Sequence, residues 1–206
     1  MSDPLSFRTA SDFTDPETLI PHALPWVLEA MQPYFDWLCG GADIARRAVE
    51  ACMRQKSSEV SIHRVDFLMC GSEFAGGLIA LSGSELKEAR KSDTETLWAL
   101  LDAPARAGLI ERLSQSAKLF APVAEDEHYG SKLGVTPPFR GRGLSEVIVK
   151  WHFEQAEARG FKKFRTDVSA DNKSAVRHYR AAGYEIMYTG QSADGRLRYH
   201  GMTLER

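Results

Sequence analysis

The chain has 206 residues, 43% of them hydrophobic and 26% charged, which is the composition of a globular protein with enough apolar side chains for a substantial core. Lys and Arg number 26 against 28 Asp and Glu, so the formal charge of -2 gives no general pull toward nucleic acid or an anionic membrane. Any cationic ligand patch must therefore be local.

Along the chain, "LSFRTA" predicts a short first strand. From Pro16 to about Arg54 the pattern is helical, broken by Pro21, Pro25, Pro33 and Gly40-Gly41 into several short helices, of which "GGADIARRAVEACMRQ" is the clearest. "VSIHRVDFLM" and "EFAGGLIALS" flank "CGS" as the strands of a hairpin. Residues 84–120 read as a helical insertion between the third and fourth strands, with starts at Ser84, at Ser92 and beyond Pro104. "EHYGSKLGV" places Tyr129, Ser131, Leu133 and Val135 on one face of a strand that Pro137-Pro138 ends. From Gly143 to Arg159, Leu144, Val147, Ile148, Trp151 and Ala158 recur at helical spacing, and Gly160 supplies the stop. "FKKFRTDVS" then predicts a strand, "NKSAVRHYRAAG" a helix, and "YEIMYTG" with "LRYHGMTL" a closing pair around the "SADG" turn. A strand, a crossover helix and a strand of this length imply parallel pairing. The expected fold class is α/β, an α+β arrangement with a mixed sheet, in one domain over residues 1–206.

Chemistry concentrates in "VTPPFRGRGLSE". The first amides of the helix that starts at about Gly143 lack intrahelical partners and carry the positive end of the helix dipole. Gly141 and Gly143 let backbone approach an oxygen closely, and Arg140 and Arg142 add forked cationic donors, so pyrophosphate is the natural guest. A solvated surface turn is the plain alternative. Ser145 and Glu146 stand where the dinucleotide fingerprint GxGxxG needs its last glycine, and the GK[ST] ending of a P-loop is absent.

What remains is RxxGx(G/A), here "RGRGLS" with Ser145 at the last position, followed by N-x-x-A-x-x-x-Y-x-x-x-G-Y from Asn172 to Tyr184. In this linked pair of motifs the stretch 133–186 resembles the GNAT superfamily of acetyl-CoA-dependent N-acetyltransferases. The resemblance implies a central mixed twisted sheet flanked by helices, an acetyl-CoA-binding core over 126–206, and an acceptor-binding half over 1–125. It implies that Leu133, Gly134 and Val135 bind the pantetheine arm through their backbone, that Arg140, Gly141, Arg142, Gly143, Leu144 and Ser145 hold the diphosphate, and that Asn172 holds the arm or the helix start. It assigns Tyr179 to protonating the departing thiolate. An N-cap is the structural role of Asn172, and a packed aromatic that of Tyr179. Lys173, Arg177 or Arg180 would lie near the adenosine 3'-phosphate.

An attacking amine must lose a proton, so a base is expected near the strand start "AEDEHY", with Glu127 or Tyr129 facing the cleft and His128 on the opposite side. Glu85, Glu88 and Asp93 would receive a cationic amine if the insertion caps the cleft, or form a solvated helix face if it does not. The acceptor is a small-molecule or protein amine. Neither a nucleic-acid nor a membrane partner is expected, and a homodimer is left open. No histidine pairing such as HExxH points to a metal. Cys39, Cys52 and Cys70 lack CxxC pairing and read as reduced core thiols, and "MSDPLSFRTASD" lacks the basic head and apolar run of a leader, so a cytoplasmic location is expected. Two readings stand: an N-acetyltransferase working by direct attack in a ternary complex, or a non-catalytic acyl-CoA-binding or partner-binding module on the same fold. A nucleotide-binding protein fails on the missing glycine and lysine.

Overall fold

The computed structural model describes residues 4–206; Met1, Ser2 and Asp3, the head of the stretch read for a leader, lie outside it. Strand β1 spans Leu5–Arg8, and three helices follow: α1 Ile20–Met31, α2 Tyr34–Cys39 and α3 Ala42–Met53. Pro21 and Pro25 do not break α1, contrary to the reading from sequence. Pro21 sits in the first turn, where no amide partner is needed, and Pro25 follows one turn later beside the buried Ala23, Leu24, Trp26 and Val27. Core contacts there outweigh one lost backbone bond. Pro33 and Gly40 do punctuate the chain, with Gly40 in the left-handed region at φ 84°.

Hairpin strands β2 Val65–Cys70 and β3 Glu73–Ser82 lead into helix α4 Gly83–Leu100 and helix α5 Ala103–Leu119, which form the insertion before strand β4 Glu127–Val135. Helix α4 starts two residues earlier than sequence suggests, because Ser82 and Glu85 form a reciprocal capping box. It then runs through Ser92, whose hydroxyl bonds that of Ser57 at 2.7 Å instead of capping a new helix. In α5 the Asp102 side chain accepts the Ala105 amide, and Pro104 occupies the first turn. After β4 come helix α6 Leu144–Ala158, strand β5 Lys163–Ser169, helix α7 Lys173–Ala181, strand β6 Glu185–Gln191 and strand β7 Arg198–Glu205.

The described strands form one mixed sheet in the order β1-β2-β3-β4-β5-β7-β6, parallel only between β4 and β5. One face carries α1, α3 and α4 over a core that includes Trp26, Val27, Met53, Phe67, Ile79 and Tyr129. The other carries α6 and α7 over Val149, Phe153, Phe164 and Met202. Cys39 and Cys52 are buried, and that burial pushes both thiols up, Cys39 to about 12. No helix among the described residues is long and apolar enough to cross a membrane.

A β-bulge shapes the centre. Lys132 opposes Ile79 and Gly130 opposes Ala80, so Ser131 is an extra residue in β4. The predicted single face therefore splits at the bulge. Tyr129 packs toward the α1 side, whereas Leu133 and Val135 pack toward α6.

Candidate active site

Strands β4 and β5 pair only from Glu127–Lys163 to Tyr129–Arg165 and then diverge. Strand β3 continues to hold the other edge of β4 out to Val135, and β7 holds the other edge of β5 out to Ser169. The backbone of 130–135 and 166–169 that faces the gap consequently has no ladder partner, and unpaired strand edges seek donors and acceptors from a ligand. At the crotch the Thr166 hydroxyl donates to the Gly130 carbonyl at 3.0 Å. Leu133, Gly134 and Val135 line one arm of the gap. A Cβ on Gly134 would come within 2.6 Å of the Trp26 Cβ, so glycine is what lets α1 lie against this arm.

Beyond the open end, Phe139 is buried and anchors the loop 140–143, which is exposed. Gly141 and Gly143 both adopt φ +75°, a left-handed conformation that glycine takes without strain, and a Cβ at either would meet nothing within 4 Å. Gly143 precedes the first turn of α6, where Leu144 and Ser145 present amides to the same open space. Arg142 lies over the Phe139 ring at 5.0 Å and donates to the Pro138 carbonyl at 3.0 Å. Arg140 donates from Nε to the Val135 carbonyl at 2.9 Å and pairs with Glu29. Two cations thus flank an open helix start.

Asn172 caps α7 by accepting the Ala175 amide at 3.0 Å. Two turns on, Tyr179 packs edge-on to Tyr184 at 5.3 Å, with Thr166 of the crotch near its hydroxyl. Burial raises the Tyr179 pKa and the Thr166 contact opposes that rise, so the phenol is protonated near neutral pH. On α7 the Lys173 ammonium donates to the Ala170 carbonyl, and Arg177 and Arg180 are exposed.

The opposite face of the fork opens into a cavity of about 390 Å³. Its polar wall carries Glu59, Arg90, Asp93, Tyr129, Lys132 and Asp167. The bulge turns both Ser131 and Lys132 toward Glu59: the Lys132 ammonium lies 2.6 Å from the Glu59 carboxylate, the Ser131 hydroxyl donates to the same oxygen, and Arg90 Nε bonds the second oxygen at 3.2 Å. Burial alone would raise Glu59, but Lys132 and then Arg90 reverse the sign and hold it well below the carboxylate range. Next to this group the Tyr129 hydroxyl donates to Asp167 at 3.1 Å. Burial pushes Asp167 up, against the opposing charge of Arg165, and burial also raises Tyr129 well above its ordinary value. Helices α4 and α5 contribute lining residues, so the insertion does cap the cavity.

Of the residues singled out by sequence, Tyr129 and Asp93 line this cavity and Glu127 does not. The Glu127 carboxylate accepts the Ala124 amide at 2.7 Å and lies 4.0 Å from Arg165 Nε. His128 points to the other face, as alternation requires, and bonds His152 at 2.8 Å. Glu85 caps α4 and pairs with Arg159, and Glu88 is exposed. Glu59, Arg90, Lys132 and Asp167 carried no local signal. They come from a loop, a helix and two strands that only tertiary packing brings together.

A family model, Acetyltransferase (GNAT) family, matches residues 84–184. Among solved structures, an N-acetyltransferase from Staphylococcus aureus Mu50 is similar over 97% of this chain and 100% of its own, at 19% identity and a TM-score of 0.67. A second acetyltransferase is similar over 97% of this chain and 98% of its own, at 16% identity and a TM-score of 0.62. An apo agmatine N-acetyltransferase is similar over 99% of this chain and 100% of its own, at 14% identity and a TM-score of 0.55. At such identities the structures establish the fold, and the family model adds the segment that holds the loop, the fork and Tyr179. Residues 84–184 thus match the GNAT acetyltransferase family, and the chain has the mixed α/β fold of the solved acetyltransferases.

Proposed function

We propose that this protein transfers an acetyl group from acetyl-CoA to a primary amine by direct attack, with both substrates bound at once. The observation that carries the reading is the fork. Tyr179 reaches its crotch from the α7 side through Thr166, while Tyr129 and Asp167 reach it from the cavity side, so two molecules can enter from opposite faces and meet.

The residues present fit acetyl-CoA. Open space beside the left-handed Gly141 and Gly143, the free first amides of α6 and the flanking Arg140 and Arg142 suit a diphosphate. The unpaired edge at Leu133, Gly134 and Val135 suits an arm rich in amides, and Asn172 stands at the head of α7. When bound, acetyl-CoA supplies the acetyl group as a thioester. Backbone amides of the fork are then donors for charge that grows on the carbonyl oxygen. Tyr179 Oη holds a proton that a departing thiolate takes, its raised pKa keeping it loaded.

On the other side the Asp167–Tyr129 pair is the proton acceptor for the amine. The raised pKa of Asp167 brings it closer to the working range of a base, and Tyr129 relays to it. Glu127 acts behind that pair, holding Arg165, whose Nη1 lies 3.4 Å from Asp167. Direct transfer is supported by Cys52, the cavity's own thiol. Burial pushes it up, so it offers little thiolate for a covalent intermediate. Free-thiol release from acetyl-CoA across a broad amine library tests the reading. Acetyl-CoA binding without release for any amine would favour the non-catalytic module.

A further inference from the structure

The cavity differs in its two walls. Opposite the polar wall lie Met31, Tyr34, Phe35, Leu113 and Phe120, with the Tyr34 and Phe120 rings edge-on at 4.8 Å. A volume of about 390 Å³ is at the small end of ligand pockets. Because α4 and α5 cover it, the space suits a small molecule with an apolar body better than an extended protein tail.

Charge on the polar wall narrows the class. Glu59 is one carboxylate shared by two cations, Lys132 and Arg90, so within this trio one positive charge is left over, while Asp167 at the Tyr129 hydroxyl and Asp93 supply negative charge on the same wall. Lys132 is consumed by Glu59 and by the hydroxyl and carbonyl of Ser131. Arg90 is not. Only its Nε is bonded, to Glu59, and among the described residues its terminal nitrogens donate to no protein group. Its side chain keeps 42% of its surface accessible and lines the cavity, and its guanidinium carbon lies 5.4 Å from the centre of the Tyr129 ring. An amine arriving at Tyr129 meets the Asp167 carboxyl at the hydroxyl and this guanidinium at the ring, and a bare amine leaves the guanidinium without a partner. An amine with a carboxylate on the adjacent carbon would instead present that carboxylate to the free fork of Arg90 while its nitrogen faces Tyr129 and Asp167.

We infer that the acceptor is a free apolar α-amino acid with a side chain of about aromatic size, an assignment that rests on the N-acetyl-transfer reading above. Arg90 is the carboxylate-binding residue, held in place by Glu59, and the wall of Met31, Tyr34, Phe35, Leu113 and Phe120 receives the side chain.

The test compares L-phenylalanine with phenethylamine, which differ by the carboxylate alone, as acceptors for the wild-type enzyme and for Arg90→Gln. The wild type should favour phenylalanine by at least about tenfold in kcat/KM, the range for a hydrogen bond to a charged group, and Arg90→Gln should collapse that ratio toward one. Equal or faster use of phenethylamine by the wild type overturns the assignment, as does a ratio that survives Arg90→Gln. If Arg90→Gln does not fold, the wild-type ratio decides. Thiol release with agmatine, spermidine or a lysyl peptide but with neither phenyl compound overturns the amino-acid class and leaves acetyl transfer standing. No release with any amine removes the transfer reading itself.

Discussion

Replacing Tyr179 by Phe removes one hydroxyl and keeps the ring. The ring packs with Val149, Phe153, Phe164 and Tyr184, so the apolar contacts persist. The loss to folding is at most the polar contact with Thr166, about 1 kcal/mol or less, or a fall of no more than about 2–4 °C in Tm for a chain of this size. The loss to chemistry is far larger if the phenol donates to the departing thiolate, because a positioned general acid contributes about 10²–10⁴ in rate. We therefore expect kcat to fall at least about a hundredfold with the acetyl-CoA KM little changed, the pattern of an interaction made in the transition state. Free-thiol release at saturating amine measures kcat, and calorimetry measures the donor affinity. Because burial raises the Tyr179 pKa, the wild-type rate should show no alkaline loss from this group below about pH 10. A kcat within about threefold of wild type, with normal donor affinity, would remove Tyr179 from the acid role.

Two further outcomes follow from buried charge. Glu59→Gln leaves Lys132, 10% exposed, without its carboxylate and should cost about 3 kcal/mol or more in unfolding free energy, read by denaturant titration; a loss under about 1 kcal/mol would mean that water already solvates the group. His128 and His152 are held down to about 4 and about 3, burial being the larger cause in each and the Arg159 and His128 charges the lesser. Their folded pKa values lie below the unfolded value, so below about pH 6.5 the unfolded chain binds protons that the folded one does not, and stability falls as pH drops toward 4. His152→Leu should reduce the slope of unfolding free energy between about pH 4 and 6.5 by up to about 1.4 kcal/mol per pH unit, and an unchanged slope would contradict the assigned shift.

The proposed cofactor half of the site is legible in the sequence because local backbone chemistry writes its turns and caps. Pro137-Pro138 ends a strand wherever it occurs, Gly141 and Gly143 permit left-handed turns, and Asn172 caps a helix from its own position. Those signals act over three or four residues, and motif spacing then links them. The acceptor half follows another logic. Ser131 looks like any strand residue, yet the bulge it occupies reverses the face of all that follows and aims Lys132 at Glu59, more than seventy positions away in sequence. Arg90 and Asp93 lie on a helix whose buried face is apolar by pattern, and nothing local distinguishes them from solvated charges. Alternation in sequence sets Glu127 on the same face as Tyr129. The ladder pairs it with Lys163 two residues before the strands part, which keeps it behind the cavity. Ser92 reads as a cap in sequence and is a side-chain partner of Ser57 in the fold.

The central claim is that acetyl-CoA lies along the β4–β5 fork with its diphosphate on the start of α6. Calorimetric titration of acetyl-CoA into the wild type and into Gly143→Asp, which sets a negative charge at that start, tests it most directly. Saturable binding of one equivalent, weakened at least about tenfold by the substitution, is the result expected. No heat at about 1 mM ligand, or equal affinity in the two proteins, would contradict the account.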